Sequence, residues 1–83
     1  MQVRLELYAS LMDYLPAHAE RHAASLEVAD GATAHVLLDK VGLPREKAHL
    51  VLRNGVFLQP DERDATPLQS GDVIAVWPPV AGG

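Results

Sequence analysis

Val3, Leu5 and Leu7 are apolar and alternate with Arg4, Glu6 and Tyr8. Successive side chains of a strand point to opposite faces, so this period of two predicts a half-buried β-strand. A second strand is predicted over residues 25–29, with Leu26 and Val28 on one face, and Asp30-Gly31 turns the chain after it. The period then changes. Ala34, Leu37, Leu38 and Val41 fall at i, i+3, i+4 and i+7, an apolar stripe along a helix of about nine residues. Thr33 is placed to cap its first turn, Gly42 can take the left-handed conformation that ends it, and Pro44 blocks continuation. Leu50 and Leu52 alternate with Val51 and Arg53 in a third strand, and Asn54-Gly55 then predicts a tight hairpin. Residues 56–59 return as its short partner, residues 60–64 read as a polar loop, 67–72 as a tight connection and 73–77 as the last strand. The weakest pattern spans residues 9–24, where Leu11, Met12 and Leu15 suit one helical turn that Pro16 interrupts.

Strand, strand, helix, strand, short strand, strand is an α+β order. A sheet with one helix buries that helix on one face and leaves the other to solvent or a partner. The first and last strands need no direct linker if they pair in parallel at the sheet centre. The prediction is therefore a ubiquitin-like β-grasp over residues 1–77, a mixed sheet of about five strands packed on one main helix. An extended tail is predicted over residues 78–83. A ferredoxin-like split fold wants a second helix and a small barrel wants none, so both fit less well.

Composition narrows the chemistry. Eighty-three residues make one domain, and the absence of cysteine removes disulfides and thiol chemistry. Net charge is −4, and Arg4, Arg21, Lys40, Arg45, Lys47, Arg53 and Arg63 are scattered without a basic stripe, which argues against nucleic acid. No apolar run approaches the roughly 20 residues of a membrane span. The chain enters its first strand at once, so no signal peptide and a cytoplasmic location are expected. Phosphate-cradling and HExxH motifs are lacking, and no serine stands beside a plausible base. Asp61, Glu62 and Asp64 read as solvated loop charges. His18 and His22 have helical metal-ligand spacing but no carboxylate to complete a site, and His35 and His49 read as surface residues. The chain is not expected to be an enzyme by itself.

The remaining candidate is the end of the sequence, Trp77-Pro78-Pro79-Val80-Ala81-Gly82-Gly83. Two prolines favour a stiff, extended segment, and two glycines without Cβ atoms allow close approach to another surface. From Pro78 onward, six residues reach roughly 20 Å at about 3.3–3.6 Å each. The terminal carboxylate, with a pKa near 3.3–3.7, is ionised at neutral pH and is a poor electrophile until converted to a mixed anhydride such as an acyl-adenylate. A sulfur nucleophile then makes a thiocarboxylate, and an amine makes an amide. Without cysteine or a phosphate loop, the activation falls to a partner.

The run Gly71-Asp72-Val73-Ile74-Ala75-Val76-Trp77-Pro78-Pro79-Val80-Ala81-Gly82-Gly83 resembles the C-terminal signature of MoaD/ThiS-type ubiquitin-like sulfur carriers, above all the MoaD branch of molybdopterin synthase small subunits. The resemblance implies that the Gly83 carboxylate is adenylated by an E1-like, MoeB-like adenylyltransferase. ATP and Mg would be held by that partner, and no cofactor is expected on this chain. A sulfurtransferase would supply sulfur for a Gly83 thiocarboxylate. The tail, Pro78 to Gly83, would then enter a MoaE-like large subunit and deliver sulfur to the pterin precursor. Two other outcomes use the same tail: a ubiquitin-like modifier joined to lysines through Gly83, and a carrier for thiamine or another sulfur metabolite. The same reading predicts a docking face. Tyr8 belongs to the outward set of the first strand, Ile74 and Val76 read as core and so turn Trp77 outward, and Phe57 projects to the same helix-free side. Aromatic anchors of this kind are typical of interfaces.

Overall fold

The computed structural model describes residues 1–79. Its strands are β1 (Gln2–Leu7), β2 (Ala23–Glu27), β3 (Leu50–Arg53), β4 (Val56–Phe57) and β5 (Val73–Trp77), and its α-helices are α1 (Ala34–Lys40) and α2 (Glu62–Ala65). Short 3-10 helices span Ala9–Tyr14 and Arg45–Lys47. The strands form one sheet in the order β2-β1-β5-β3-β4, with β1 and β5 parallel at its centre and the other pairs antiparallel. This is the mixed β-grasp sheet that the element order predicts.

The period-two pattern does the sorting. Val3, Leu5 and Leu7 turn to one face, and the register sets Leu5 beside Ile74 and Leu7 beside Val76, all at most 2% exposed. β3 turns Val51 to this face, opposite Val76, and sends Leu50 and Leu52 to the other. α1 covers the apolar face with Ala34, Leu37 and Leu38, each fully buried. Leu11 from the first 3-10 helix and Leu43, Leu58 and Leu68 from the loops close the core. The Thr33 hydroxyl accepts from the Val36 N–H at 3.4 Å, as its capping position requires. Gly42, at φ +76, takes the left-handed turn that ends α1. The helix has seven residues, shorter than the stripe suggests, because Val41 has already left helical geometry.

Several local expectations are corrected. β2 begins at Ala23, two residues before the predicted start, since pairing with β1 carries it back to Glu6. Pro16 does follow a helical turn, but that turn is a 3-10 helix that buries Leu11 and leaves Met12 exposed. His18 and His22 lie on two separate turns, without the spacing that one helix face would give them. The polar loop at 60–64 folds into α2 around a buried Arg63. Its guanidinium donates to the carbonyls of Leu58 at 3.1 Å, Ala48 at 3.0 Å and His49 at 3.3 Å, which offsets the desolvation that lowers its pKa. α2 brings Asp64 to 3.3 Å from His35 Nδ1 and 3.7 Å from Arg45, so His35 is half-buried between elements and not an open surface residue.

The turn at Asn54-Gly55, with both φ positive, is tied to the start of β5. Asp72 accepts from Arg53 Nε at 2.9 Å, Asn54 Nδ2 at 2.9 Å and the Gln69 N–H at 2.8 Å. Asn54 Oδ1 in turn accepts from the Val73 N–H at 2.9 Å. Burial pushes the Asp72 carboxyl up, but the Gln69 and Asn54 hydrogen bonds and Arg53 together hold it below the ordinary carboxylate range. This network fixes where the last strand begins. Among the described residues, no helix is long and apolar enough to cross a membrane.

Candidate functional site

β5 lies between two strands, and its last two residues are held one from each side. The Tyr8 N–H donates to the Val76 carbonyl at 3.1 Å, and the His49 N–H donates to the Trp77 carbonyl at 3.0 Å. Pro78, half-buried, and Pro79, exposed, follow directly. Because neither proline has an N–H, the ladder stops there and the chain is released from the sheet. Val80, Ala81, Gly82 and Gly83, the rest of the predicted tail, lie outside the described residues.

Around this root the helix-free face carries a ring stack. The Tyr8 and Trp77 rings are 4.3 Å apart and 2° from parallel, and His22 covers the other side of Tyr8 at 4.7 Å and 28°. Parallel pairing of β1 with β5 generates the first contact, since Leu7 is opposite Val76 and the next residues along meet as Tyr8 and Trp77. The second contact comes from the turn before β2, where the Leu7 N–H donates to the His22 carbonyl at 2.8 Å. Tyr8 OH donates to Glu6 Oε1 at 3.1 Å, and Arg4 Nε donates to Glu6 Oε2 at 3.0 Å. The Arg4 hydrogen bond, aided by Tyr8 against the effect of burial, lowers the Glu6 pKa. Burial and then Glu6 raise the Tyr8 phenol, which therefore stays protonated as a donor at neutral pH.

Phe57 is placed differently from the other two aromatics. The register sets it in a row with Leu52 and Ala75, while Trp77 is opposite Leu50. Phe57 is 43% exposed, with the Arg63 guanidinium 5.8 Å from its ring. Tyr8 and Trp77 are thus brought into contact, and Phe57 stands apart across the leucine row. Leu50 and Leu52, which the sequence reading did not single out, link them into one apolar strip. The alternation Leu50-Val51-Leu52-Arg53 does not tell which pair faces inward, and Arg53 reaches the buried Asp72 from the core side. His22, weighed in the sequence only for metal-ligand spacing with His18, joins the stack because its partner is set by β-pairing and not by sequence spacing. Among the described residues there is no group of three or more His, Asp or Glu side chains that could hold a metal ion. The arrangement offers the end of a central strand beside an aromatic and aliphatic strip.

The sequence model of the ThiS family matches residues 7–83. Among solved structures, the Haloferax volcanii HVO 2177 protein superposes with a TM-score of 0.77 at 27% identity, covering 100% of this chain and 87% of that one. SAMP1 from Haloferax volcanii gives 0.69 at 24% identity with 100% of both chains covered. A chain of the complex between subunits 1 and 2 of molybdopterin-converting factor from Helicobacter pylori 26695 gives 0.60 at 21%, again with 100% of both covered. The last two likenesses establish the fold alone. No curated protein matches the chain significantly.

Proposed function

The chain belongs to the ThiS family of ubiquitin-like sulfur carriers, and we propose that it carries sulfur on the Gly83 carboxylate for molybdopterin biosynthesis. The observation that carries this reading is the extent of the family match, which runs through the diglycine to residue 83. The carboxylate attacks the α-phosphorus of ATP, held with Mg by an E1-like, MoeB-like partner, and pyrophosphate leaves. Sulfide, released from a sulfurtransferase's persulfide by a thiol reductant that is oxidised to a disulfide, then attacks the acyl carbon, and AMP leaves to give a thiocarboxylate. Gly82 and Gly83 suit the narrow approach this requires, since no Cβ crowds the reacting carbon. Pro78, Pro79, Val80 and Ala81 form the spacer that reaches the partner's active site. Tyr8, Trp77 and Phe57, with Leu50 and Leu52 between them, hold the partner, which in molybdopterin synthesis is a MoaE-like large subunit. Support for that assignment comes from the Gly-Asp to Gly-Gly signature and from the likeness to a chain of the two-subunit molybdopterin-converting factor.

Intact-mass measurement on protein purified without reducing or alkylating steps tests the carrier role. A population heavier by the exchange of one oxygen for sulfur is expected, and deleting Gly83 removes it; its persistence in the deletion refutes the proposal. Growth of a deletion strain on molybdoenzyme-dependent medium or without thiamine assigns the pathway. A modifier role is the second reading, favoured by the ubiquitin-like fold. It predicts lysines on other proteins that carry a Gly-Gly branch from this tail.

A further inference from the structure

Glu20 to Ala23 form a tight hairpin turn, closed by reciprocal hydrogen bonds from Glu20 N–H to the Ala23 carbonyl at 2.9 Å and from Ala23 N–H to the Glu20 carbonyl at 3.1 Å. Its two central residues are Arg21 and His22, and Arg21 has φ +57. Left-handed backbone favours glycine or asparagine, and the chain obeys that rule at its other tight hairpin, Asn54-Gly55. At Arg21 it departs from it. A locally disfavoured residue held at a turn directs attention to what its side chain does, and His22 follows it in the same turn.

Both open into a groove of about 620 Å³ that runs along β2 residues 23–25 and is also lined by Arg4, His18 and Glu20. β2 is the end strand of the sheet, so the groove lies at its edge. In a chain of net charge −4, this groove collects two arginines and two histidines against one glutamate. Arg4 is shared with Glu6, whereas Arg21 is exposed and joins none of the ion pairs of the described residues. The volume is many times that of a single oxyanion. A nucleotide base finds no platform on Tyr8, because His22 and Trp77 already cover both faces of its ring. Ala23, Ala24 and Ser25 are small, which leaves room along the strand for an extended chain.

We propose that this groove docks an acidic, extended segment of a protein partner, with Arg21 as its principal charge contact and Arg4 and His22 beside it. Through the His22–Tyr8–Trp77 stack the groove adjoins the apolar strip at the tail root, so one partner can cover both. Electrostatic contacts of this kind set partner choice and association rate more than total affinity. The inference rests on the carrier reading for the partner's role, but its test uses the chain alone and is independent of the thiocarboxylate measurement.

The test is an NMR titration of the full chain with a short oligoglutamate peptide, with inorganic phosphate at matched ionic strength and a neutral Gly-Ser peptide in parallel. Oligoglutamate should shift the amides of residues 20–25 and the ring signals of His18 and His22, and added salt should weaken the effect. Arg21→Gly should weaken binding about two- to fivefold, the range of one exposed ion pair, while its melting temperature holds or rises because glycine suits the turn. Arg21→Glu should abolish binding. Shifts confined to other basic residues such as Arg45 and Lys47, an unchanged affinity in Arg21→Gly, or equal binding of inorganic phosphate would each overturn the proposal.

Discussion

On the helix-covered face of the sheet, Val3, Leu5, Leu7, Val51, Ile74 and Val76 are each at most 2% exposed, while the opposite face sets Trp77, Leu50, Leu52 and Ala75 beside Arg4 and Glu6. Both faces are built from the same five strands. The first is satisfied within the chain, its one charged pair, Arg53 with Asp72, closing at its margin. The second mixes an apolar strip with charged residues, a composition that suits a surface made to be covered intermittently. Stability is therefore concentrated on one face, the proposed function places recognition on the other, and substitutions should separate the two.

The largest expected effect is on the covered face. Leu5→Ala removes a fully buried side chain from a central strand and should cost about 2–5 kcal/mol in urea denaturation. That is a large share of the roughly 4–12 kcal/mol expected for a domain of this size. The matching change on the open face, Leu52→Ala, should cost less than about 1.5 kcal/mol, since that side chain is only half-buried. Equal costs for the two variants would erase the distinction between the faces.

Asp72 is the next largest. Asp72→Ala leaves Arg53, Asn54 and the Gln69 N–H without their acceptor and should cost about 2–3 kcal/mol. Its acid dependence has a definite sign. The folded carboxyl is held below its unfolded pKa of about 3.9, so its contribution is full above that value and is lost as pH falls through the folded pKa. Stability of the native protein should therefore decline through this acid window, and Asp72→Asn, which cannot titrate, should flatten the decline.

These two residues also mark how far the sequence could be read. Leu5 was legible because period-two alternation is a local signal, and the same signal placed Val3, Leu7, Ile74 and Val76 inward. Thr33, Gly42 and Asn54-Gly55 were legible because capping and left-handed turns depend on a few adjacent atoms. The network of Asp72 joins residues 18 and 19 positions apart in sequence, and no periodicity announces it. α2 was hidden for a similar reason. Its stability depends on Arg63 reaching the carbonyls of Ala48 and His49, contacts supplied by a distant loop. At the candidate site, the outward placement of Tyr8 and Trp77 followed from strand phase, but the His22 stack and the Leu50–Leu52 strip required the pairing register.

Trp77 tests the open face directly. Trp77→Ala removes the ring stacked on Tyr8 and should cost the fold about 0.5–1.5 kcal/mol for the lost stack, besides its partial burial. Affinity for the proposed MoaE-like partner, measured by calorimetry, should fall by at least tenfold, equivalent to more than about 1 kcal/mol at an aromatic hot spot. A variant that binds as tightly as the native chain would remove this ring from the docking surface.

The smallest and most discriminating change is Tyr8→Phe. It keeps the ring between His22 and Trp77 but deletes the hydroxyl that donates to Glu6. The loss should be about 0.5–1.5 kcal/mol in stability, the net value of one hydrogen bond. The Glu6 pKa, followed by NMR titration, should rise toward the ordinary carboxylate range. It should stay lowered, because the Arg4 hydrogen bond is its leading cause and remains in place. If the open face recognises its partner through ring area, affinity should be unchanged in Tyr8→Phe and reduced in Tyr8→Ala. Equal losses in both would assign recognition to the Arg4–Glu6–Tyr8 polar set, so that the charged half of the face, and not the aromatic half, would hold the partner.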